Sequence, residues 1–512
     1  MKNDKANSMI LSKDVFVERA DSQSEKWKMH LITLPEKVLQ FGTGVLLRGL
    51  PGYFIHKANA AQVFNGRIVA VRSTDSDHQV FDRQDNLFTH CIRGLQNGEI
   101  VQEQYINTSI SRVLSAKLDW EEILKCAGNP ELKLIISNTT EAGIVLTRDN
   151  VHASPPASFP GKLLAFLYQR YKIFGGDSAA GMVIVPTELI ANNAEKLLSI
   201  LLELAHQNGF ESHFMDWLEN ANEWCNSLVD CIVPGMPSAT EKRVIEQTAG
   251  YSDDLMIMSE PYRLWAIEST GEKAAKVLSF ASVNEGIAIE SDITRFRELK
   301  LRLLNGTHTF CCGLAHLAGF QSVLDAMYNP VFKQFITALM RSEIIPSISG
   351  DSLPQEDAES FAEKVLTRFS NPFMQHKWIS ISRQYSSKLC TRNVPMIRAY
   401  MDKYGEVPRR MALAFAAHLL FMKSSMDSDG KLYGTVNGNS YYITDENAGY
   451  YFGKWKHTVN GRLAEEILAN EKLWEIDLTI YKDFVTAVDN YLVALIGQDV
   501  LTVMNALDET GK

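Results

Sequence analysis

Short β-branched runs alternate with amphipathic helical runs through the first half of this 512-residue chain, and from about Thr294 onward the strand signals almost vanish. That change of pattern constrains the fold more than any single residue does. Strands alternating with helices point to a parallel sheet covered by helices, because parallel neighbours need a crossover connection. Strands are predicted at 37–41, 67–71, 132–137 and 182–186, with helices at 161–174 and 194–206. Leu197, Ile200, Leu201 and Leu204 carry the i, i+3, i+4, i+7 repeat of a helix laid on a core. Long helices follow at 297–320, 356–369 and 409–422. They are interrupted by 427–451, where Val436-Asn-Gly-Asn439 reads as the turn of a surface hairpin. The expected architecture is an α/β N-terminal domain with a parallel-rich sheet, followed by a mostly α-helical C-terminal domain. Their boundary is expected at 285–293.

Composition removes several classes of function. A net charge of −10 argues against a nucleic-acid binder, which needs clustered positive charge. Eighteen consecutive apolar residues occur nowhere, and Met-Lys-Asn-Asp-Lys-Ala-Asn-Ser has no apolar run behind its charges, so neither a membrane span nor secretion is expected. Residues 1–28 form a polar N-terminal segment. The seven cysteines, at 91, 126, 225, 231, 311, 312 and 390, lack CxxC or Cys/His ligand spacing, which predicts reduced thiols, no metal centre and a cytoplasmic protein.

Val38-Leu-Gln-Phe41 runs straight into Gly42-Thr-Gly44-Val-Leu-Leu-Arg48-Gly49, a strand, a glycine turn and the start of a helix. Glycines there let the backbone approach a pyrophosphate, although the third glycine of the usual fingerprint is displaced and an ordinary β-α turn reads similarly. The second strand ends in Arg72-Ser-Thr-Asp75. Asp75 is the candidate ligand of the ribose hydroxyls of NAD, while Arg72 argues the opposite way. After the third predicted strand, Asn138 and Thr139 open a polar loop suited to flank a nicotinamide or, more plainly, to cap a turn. Residues 29–288 are thus expected to form a Rossmann-like dinucleotide-binding domain that takes NAD, and 289–512 a helical substrate domain.

Lys300, Asn305 and His308 place three polar groups inside the apolar run Leu299-Lys-Leu-Arg-Leu-Leu-Asn-Gly-Thr-His308. At about 100° per residue they share one half of a helix, and a lysine bounded by Leu299, Leu301, Leu303 and Leu304 is expected to be desolvated into a usable acid and base. Each also has a plainer reading: a snorkelling lysine, an Asn-Gly turn, a core histidine.

The triple spacing, Lys-x4-Asn-x2-His, resembles the signature of the polyol-specific long-chain dehydrogenases, the mannitol dehydrogenase family. Asn138-Thr-Thr-Glu-Ala-Gly143, Pro186-Thr-Glu-Leu-Ile190 and Arg368-Phe-Ser-Asn-Pro372 are most similar to its hexuronate branch, which interconverts D-tagaturonate and D-altronate with NAD(H). The resemblance implies Lys300 as acid/base, Asn305 and Asn193 as the amides holding the reacting oxygen, and His308 as the residue orienting substrate. It further implies Gly42, Gly44 and Arg48 at the cofactor, and Asp230 in the substrate pocket. Three positions depart from the polyol pattern: Arg297 replaces a glutamate, Cys231 replaces an arginine, and Ser380 replaces an arginine eight residues before Lys388. A hexuronate carboxylate needs a cation, for which Lys388 and Arg392 are candidates. The rival expectations are a mannitol or mannonate (fructuronate) oxidoreductase and a non-catalytic nucleotide-binding sensor.

Overall fold

The computed structural model describes residues 9–18, 22–73, 79–139, 143–458 and 461–509. It divides into two units, 1–96 with 100–293, and 97–99 with 294–512.

The first unit is built on six strands: β1 (Glu36–Phe41), β2 (Arg67–Arg72), β3 (Ile110–Ser115), β4 (Leu134–Ser137), β5 (Val183–Pro186) and β6 (Glu223–Trp224). They lie in the order β3-β2-β1-β4-β5-β6, and every neighbouring pair is parallel. This is the doubly wound order of dinucleotide-binding sheets, in which the chain reverses direction across the sheet beside its first strand. Strands covered on both faces favour apolar side chains throughout, and all residues of β2, β4 and β5 are buried and apolar except Arg67, Arg72 and Ser137 at strand ends. Alternate residues feed separate cores. Leu39, Val69, Ile135 and Ile184 meet Leu163, Leu167, Leu197 and Leu201 on one face. Val38, Ile68, Leu134 and Val183 meet Phe54 and Ile55 on the other.

The helix predicted at 161–174 spans Phe159–Ile173. It starts earlier because Ser158 Oγ accepts from the Gly161 amide at 2.9 Å and Pro160 sits in the first turn. The helix predicted at 194–206 spans Asn193–Gln207. Strands β3 and β6 went unpredicted, as did Phe88–Gln96 and Glu99–Asn107, which neighbour each other in a second sheet with Ile257–Ser259.

The second unit is mostly helical. Arg409–Phe421 is buried almost all round and packs against Thr307–Leu317 and Lys482–Gly497, as a helix apolar on every side must. The predicted hairpin pairs Leu432–Val436 with Asn439–Tyr442 about Asn437 and Gly438, at φ 49° and 77°. The predicted helix 297–320 needs correction. Thr294–Glu298 is α-helical, Leu299–Gly306 is a π-helix, and the α-helix resumes over Thr307–Leu317. Met340–Ile344 and Leu389–Asn393 are also π-helical. No helix among the described residues is long and apolar enough to cross a membrane.

Candidate active site

At the carboxyl ends of β1, β2 and β4 lies a cavity of about 480 Å³, whose lining includes Phe41, Gly42, Val71, Ser73, Asn138 and Thr139. Gly42 has φ +122°, and a Cβ there would stand 2.8 Å from Leu47 Cδ1 and 3.1 Å from the Asn138 carbonyl, so only glycine fits. Gly44 precedes the short helix Val45–Gly49, and a Cβ on it would meet nothing within 4 Å. A strand, a strained glycine turn and open space beside the second glycine suit the close approach of a dinucleotide.

The other predicted cofactor residues fare unequally. Asn138 and Thr139 line the cavity, but their side chains also lace the loops after β4 and β5 together. Asn138 Nδ2 donates to the carbonyl and hydroxyl oxygens of Thr187 at 3.1 and 3.0 Å. The buried Glu188 carboxylate accepts from the Thr139 amide at 2.8 Å and from Ser137 Oγ at 3.1 Å, and burial raises its pKa. Arg48 does not line the cavity. It is buried against the Phe81 and Phe88 rings, its Nη1 donates to the Leu255 carbonyl at 2.5 Å, and burial lowers its pKa to about 10. Asp75 lies outside the described residues. Arg72 is buried and does not line the cavity either. Sequence reasoning missed Lys162, a lining cation whose Nζ donates to the Ala157 carbonyl at 2.6 Å. On a helix face it resembles any solvated lysine.

Asn193 has backbone partners that its expected part at the reacting oxygen did not include. Fully buried, its Nδ2 faces the carbonyls of Pro186, Glu188 and Ser227 at 3.0 Å each, and its Oδ1 accepts from the Ser227 amide at 2.9 Å. Its amide hydrogens are committed to backbone, so in this geometry the side chain staples loops and has no donor to offer a substrate. Asp230 is buried at the end of Ser227–Asp230, opposite Leu264 of an antiparallel partner.

In the second unit the π-helix changes the expected geometry. Its i→i+5 bonding stacks residues five apart, which brings Lys300 and Asn305 onto one face, where an α-helix would set them about 140° apart. Leu299, Leu303 and Leu304 are buried, while Lys300 and Asn305 stay half-exposed, so the leucines do not enclose the lysine. His308 follows on the resumed α-helix. It is 7% exposed and stacks on Phe369 at 4.3 Å, with the His376 and Trp378 rings at 5.1 and 6.0 Å. Its Nε2 meets no protein hydrogen-bond partner. Burial, then His376, Arg368, Arg392 and Lys388, hold the imidazole well below its ordinary pKa, hence neutral.

The π-helix Leu389–Asn393 packs against Leu299–Gly306. Arg302 Nη1 donates to the carbonyls of Thr391 and Arg392 at 2.9 and 2.8 Å, and Asn393 Nδ2 donates to the Gly306 carbonyl at 2.9 Å. Arg392 Nη1 donates to Thr309 Oγ1 at 3.3 Å, and Lys388 Nζ to the Ile381 carbonyl at 3.0 Å. Lys300, Asn305, His308, Lys388 and Arg392 are therefore carried by segments that touch. Glu298, the carboxylate nearest Lys300 in sequence, is paired with Arg302 at 2.9 Å. No group of three His, Cys, Asp or Glu among the described residues is placed to hold a metal.

Residues 36–278 match the mannitol dehydrogenase Rossmann domain and residues 292–496 the mannitol dehydrogenase C-terminal domain. The chain belongs to the mannitol dehydrogenase family. It is an NAD-dependent oxidoreductase acting on CH–OH groups. Relatives within the family include the altronate oxidoreductase of Halalkalibacterium halodurans, 36% identical over 90% of this chain and 91% of its own. That of Bacillus subtilis is 38% identical over 88% and 90%. Among solved structures, mannitol 2-dehydrogenase of Pseudomonas fluorescens with NAD and D-mannitol superposes with a TM-score of 0.69 at 21% identity, covering 98% of this chain and 100% of that one. D-sorbitol dehydrogenase gives 0.76 at 19%, covering 97% and 100%. At those identities the structures show the shared fold.

Proposed function

We propose that this family member interconverts D-tagaturonate and D-altronate. The observation that carries the reading is the wide helical turn that stacks Lys300 on Asn305, followed by a neutral histidine with an unpartnered Nε2. The relatives named altronate oxidoreductase support the substrate class. When bound, NADH supplies the hydride that the keto carbon takes up. The turn at Gly42 and Gly44, with Asn138 and Thr139, would hold it. Lys300 gives its proton to the keto oxygen in reduction and removes it in oxidation. The Asn305 amide donates to that oxygen as negative charge builds on it, an interaction worth roughly 2.7–4 kcal/mol for a preorganised donor. His308 Nε2 orients a neighbouring hydroxyl. All seven cysteines are free thiols, which supports a cytoplasmic setting where thiols stay reduced.

The experiment is a screen of D-tagaturonate, D-fructuronate and D-fructose with purified enzyme, following the loss of NADH absorbance. Tagaturonate is expected to give the highest kcat/KM. Equal efficiency with D-fructose, or faster turnover of fructuronate, overturns the assignment.

A further inference from the structure

Backbone amides can cradle a pyrophosphate, but they carry only partial charge, so a dinucleotide site gains from a cation set near them. Among the described residues that line the cavity at the ends of β1, β2 and β4, the charged side chain is Lys162. It comes from the start of the helix Phe159–Ile173, an element separate from the glycine turn. Its place is built. Asp149 accepts from the Ala157 amide at 3.0 Å and from the Ser158 amide and hydroxyl at 2.7 Å each, which fixes the loop ahead of the helix. The Ala157 carbonyl then receives Lys162 Nζ at 2.6 Å, with the Ser158 carbonyl at 3.5 Å. Packing there leaves no slack, since a Cβ on Gly161 would lie 2.2 Å from Asp149 Oδ2. The neighbouring Phe159 ring also lines the cavity and packs 5.2 Å from Phe41, the last residue of β1.

An ammonium has three N–H donors, and these two carbonyls leave at least one for a ligand. The side chain is half-buried, and burial lowers its pKa against the opposing field of Asp149. A charge partly withdrawn from water meets an opposite charge more strongly than it would at an open surface. We propose that Lys162 is a cofactor-binding residue, its ammonium meeting a phosphate oxygen of the dinucleotide lodged against Gly42. The inference rests on the reading that places NADH in this cavity. Phosphates take no part in hydride transfer, so the contact strengthens ground state and transition state alike. Its loss raises KM for NADH and leaves kcat unchanged.

The test is displacement of NADH from the full-length enzyme, followed by its fluorescence, with ADP-ribose, which keeps the pyrophosphate, and with adenosine, which has no phosphate. Lys162→Met is expected to weaken ADP-ribose at least about tenfold while adenosine stays within about twofold, the usual worth of a hydrogen bond to a charged group. The fall of ADP-ribose affinity with rising salt should also flatten in that variant. Lys162→Gln, which can still donate to the Ala157 carbonyl, should lose as much. Recovery of ADP-ribose affinity in the glutamine variant would make Lys162 a brace for its loop and overturn the phosphate contact, as would equal losses for both compounds in Lys162→Met. Gly42→Ala, which strains the turn, separates the residue from the site. ADP-ribose binding weakened by Gly42→Ala and untouched by Lys162→Met removes Lys162 and leaves the cavity reading standing. Binding untouched by both removes the cavity reading too.

Discussion

Lys300 owes its proposed part to position more than to burial. Leu299, Leu303 and Leu304 turn into the core, and the half-buried lysine shares one face of a wide turn with Asn305. Lys300→Ala is expected to bind NADH normally and to lose about 10² to 10⁴ in kcat, the usual worth of a positioned acid/base. Retention of more than about a tenth of kcat would give the proton to another group. Asn193 calls for the opposite expectation. Asn193→Ala removes the donor facing the Pro186, Glu188 and Ser227 carbonyls and the side-chain acceptor of the Ser227 amide, at about 1–3 kcal/mol for each group left unsatisfied. Its main effect should be a lower melting temperature. An unchanged melting temperature with kcat down 10² to 10³ would return Asn193 to the reacting oxygen.

The two π-helices that meet beside His308 hold each other in register. Asn393 is buried with its Nδ2 on the Gly306 carbonyl, at the end of the turn that stacks Lys300 on Asn305. Removing that bond lets Leu299–Gly306 relax toward α-helical spacing, which would swing Asn305 away from Lys300. Asn393→Ala is therefore expected to lower kcat at least about tenfold while NADH affinity holds, because misplacement near 1 Å costs about 10² in rate. Kcat within twofold of the unmodified enzyme would show that the wide turn maintains itself. None of this was legible in the sequence, since a π-helix is set by packing between segments about ninety residues apart and shares the apolar repeat of an α-helix. The sheet was easier. β4 and β5 are almost wholly apolar, β2 carries the run Ile68–Val71 between two arginines and β1 the pair Val38-Leu39, whereas β3 interleaves Ser111 and Arg112 and β6 has only two residues. The Asn97-Gly98 turn carries the same hairpin cue as Asn437-Gly438, set within an otherwise α/β pattern. At the site, Gly42 was readable because its backbone needs glycine. The commitments of Asn193 and Arg48 were not, because they depend on Ser227 and Leu255, distant in sequence.

Across the chain, buried histidines set the response to acid. His56, His90, His308 and His418 are all held below their ordinary pKa by burial, His56 to about 3 and His418 to about 4. A histidine depressed in the folded state is protonated more readily when unfolded, so the stability it protects is complete above about pH 6.5 and is lost as pH falls toward the folded value. Each pH unit in that window costs about 1.4 kcal/mol per histidine. Glu188, Asp253 and Glu343 are raised instead and work the other way, gaining stability as pH falls through their windows. Glu343 is raised to about 7. Four histidines outweigh that, so calorimetry should find a lower melting temperature at pH 5 than at pH 7.5. An equal or higher value at pH 5 would show that the carboxyls dominate.

The cysteines make the enzyme its own reporter of opening. Six thiols are buried and Cys231 alone is partly accessible, and burial pushes Cys91 up to about 11 and Cys225 and Cys312 up to about 12, where the reactive thiolate is scarce. Cys91, Cys126 and Cys225 belong to the first unit, and Cys311, Cys312 and Cys390 to the second. A thiol-specific mass label should thus mark Cys231 first under native conditions. In rising denaturant, peptide mapping should then show two groups of three, each labelled at the pace at which its own unit breathes. If all six appear together, the two halves unfold as a single cooperative body.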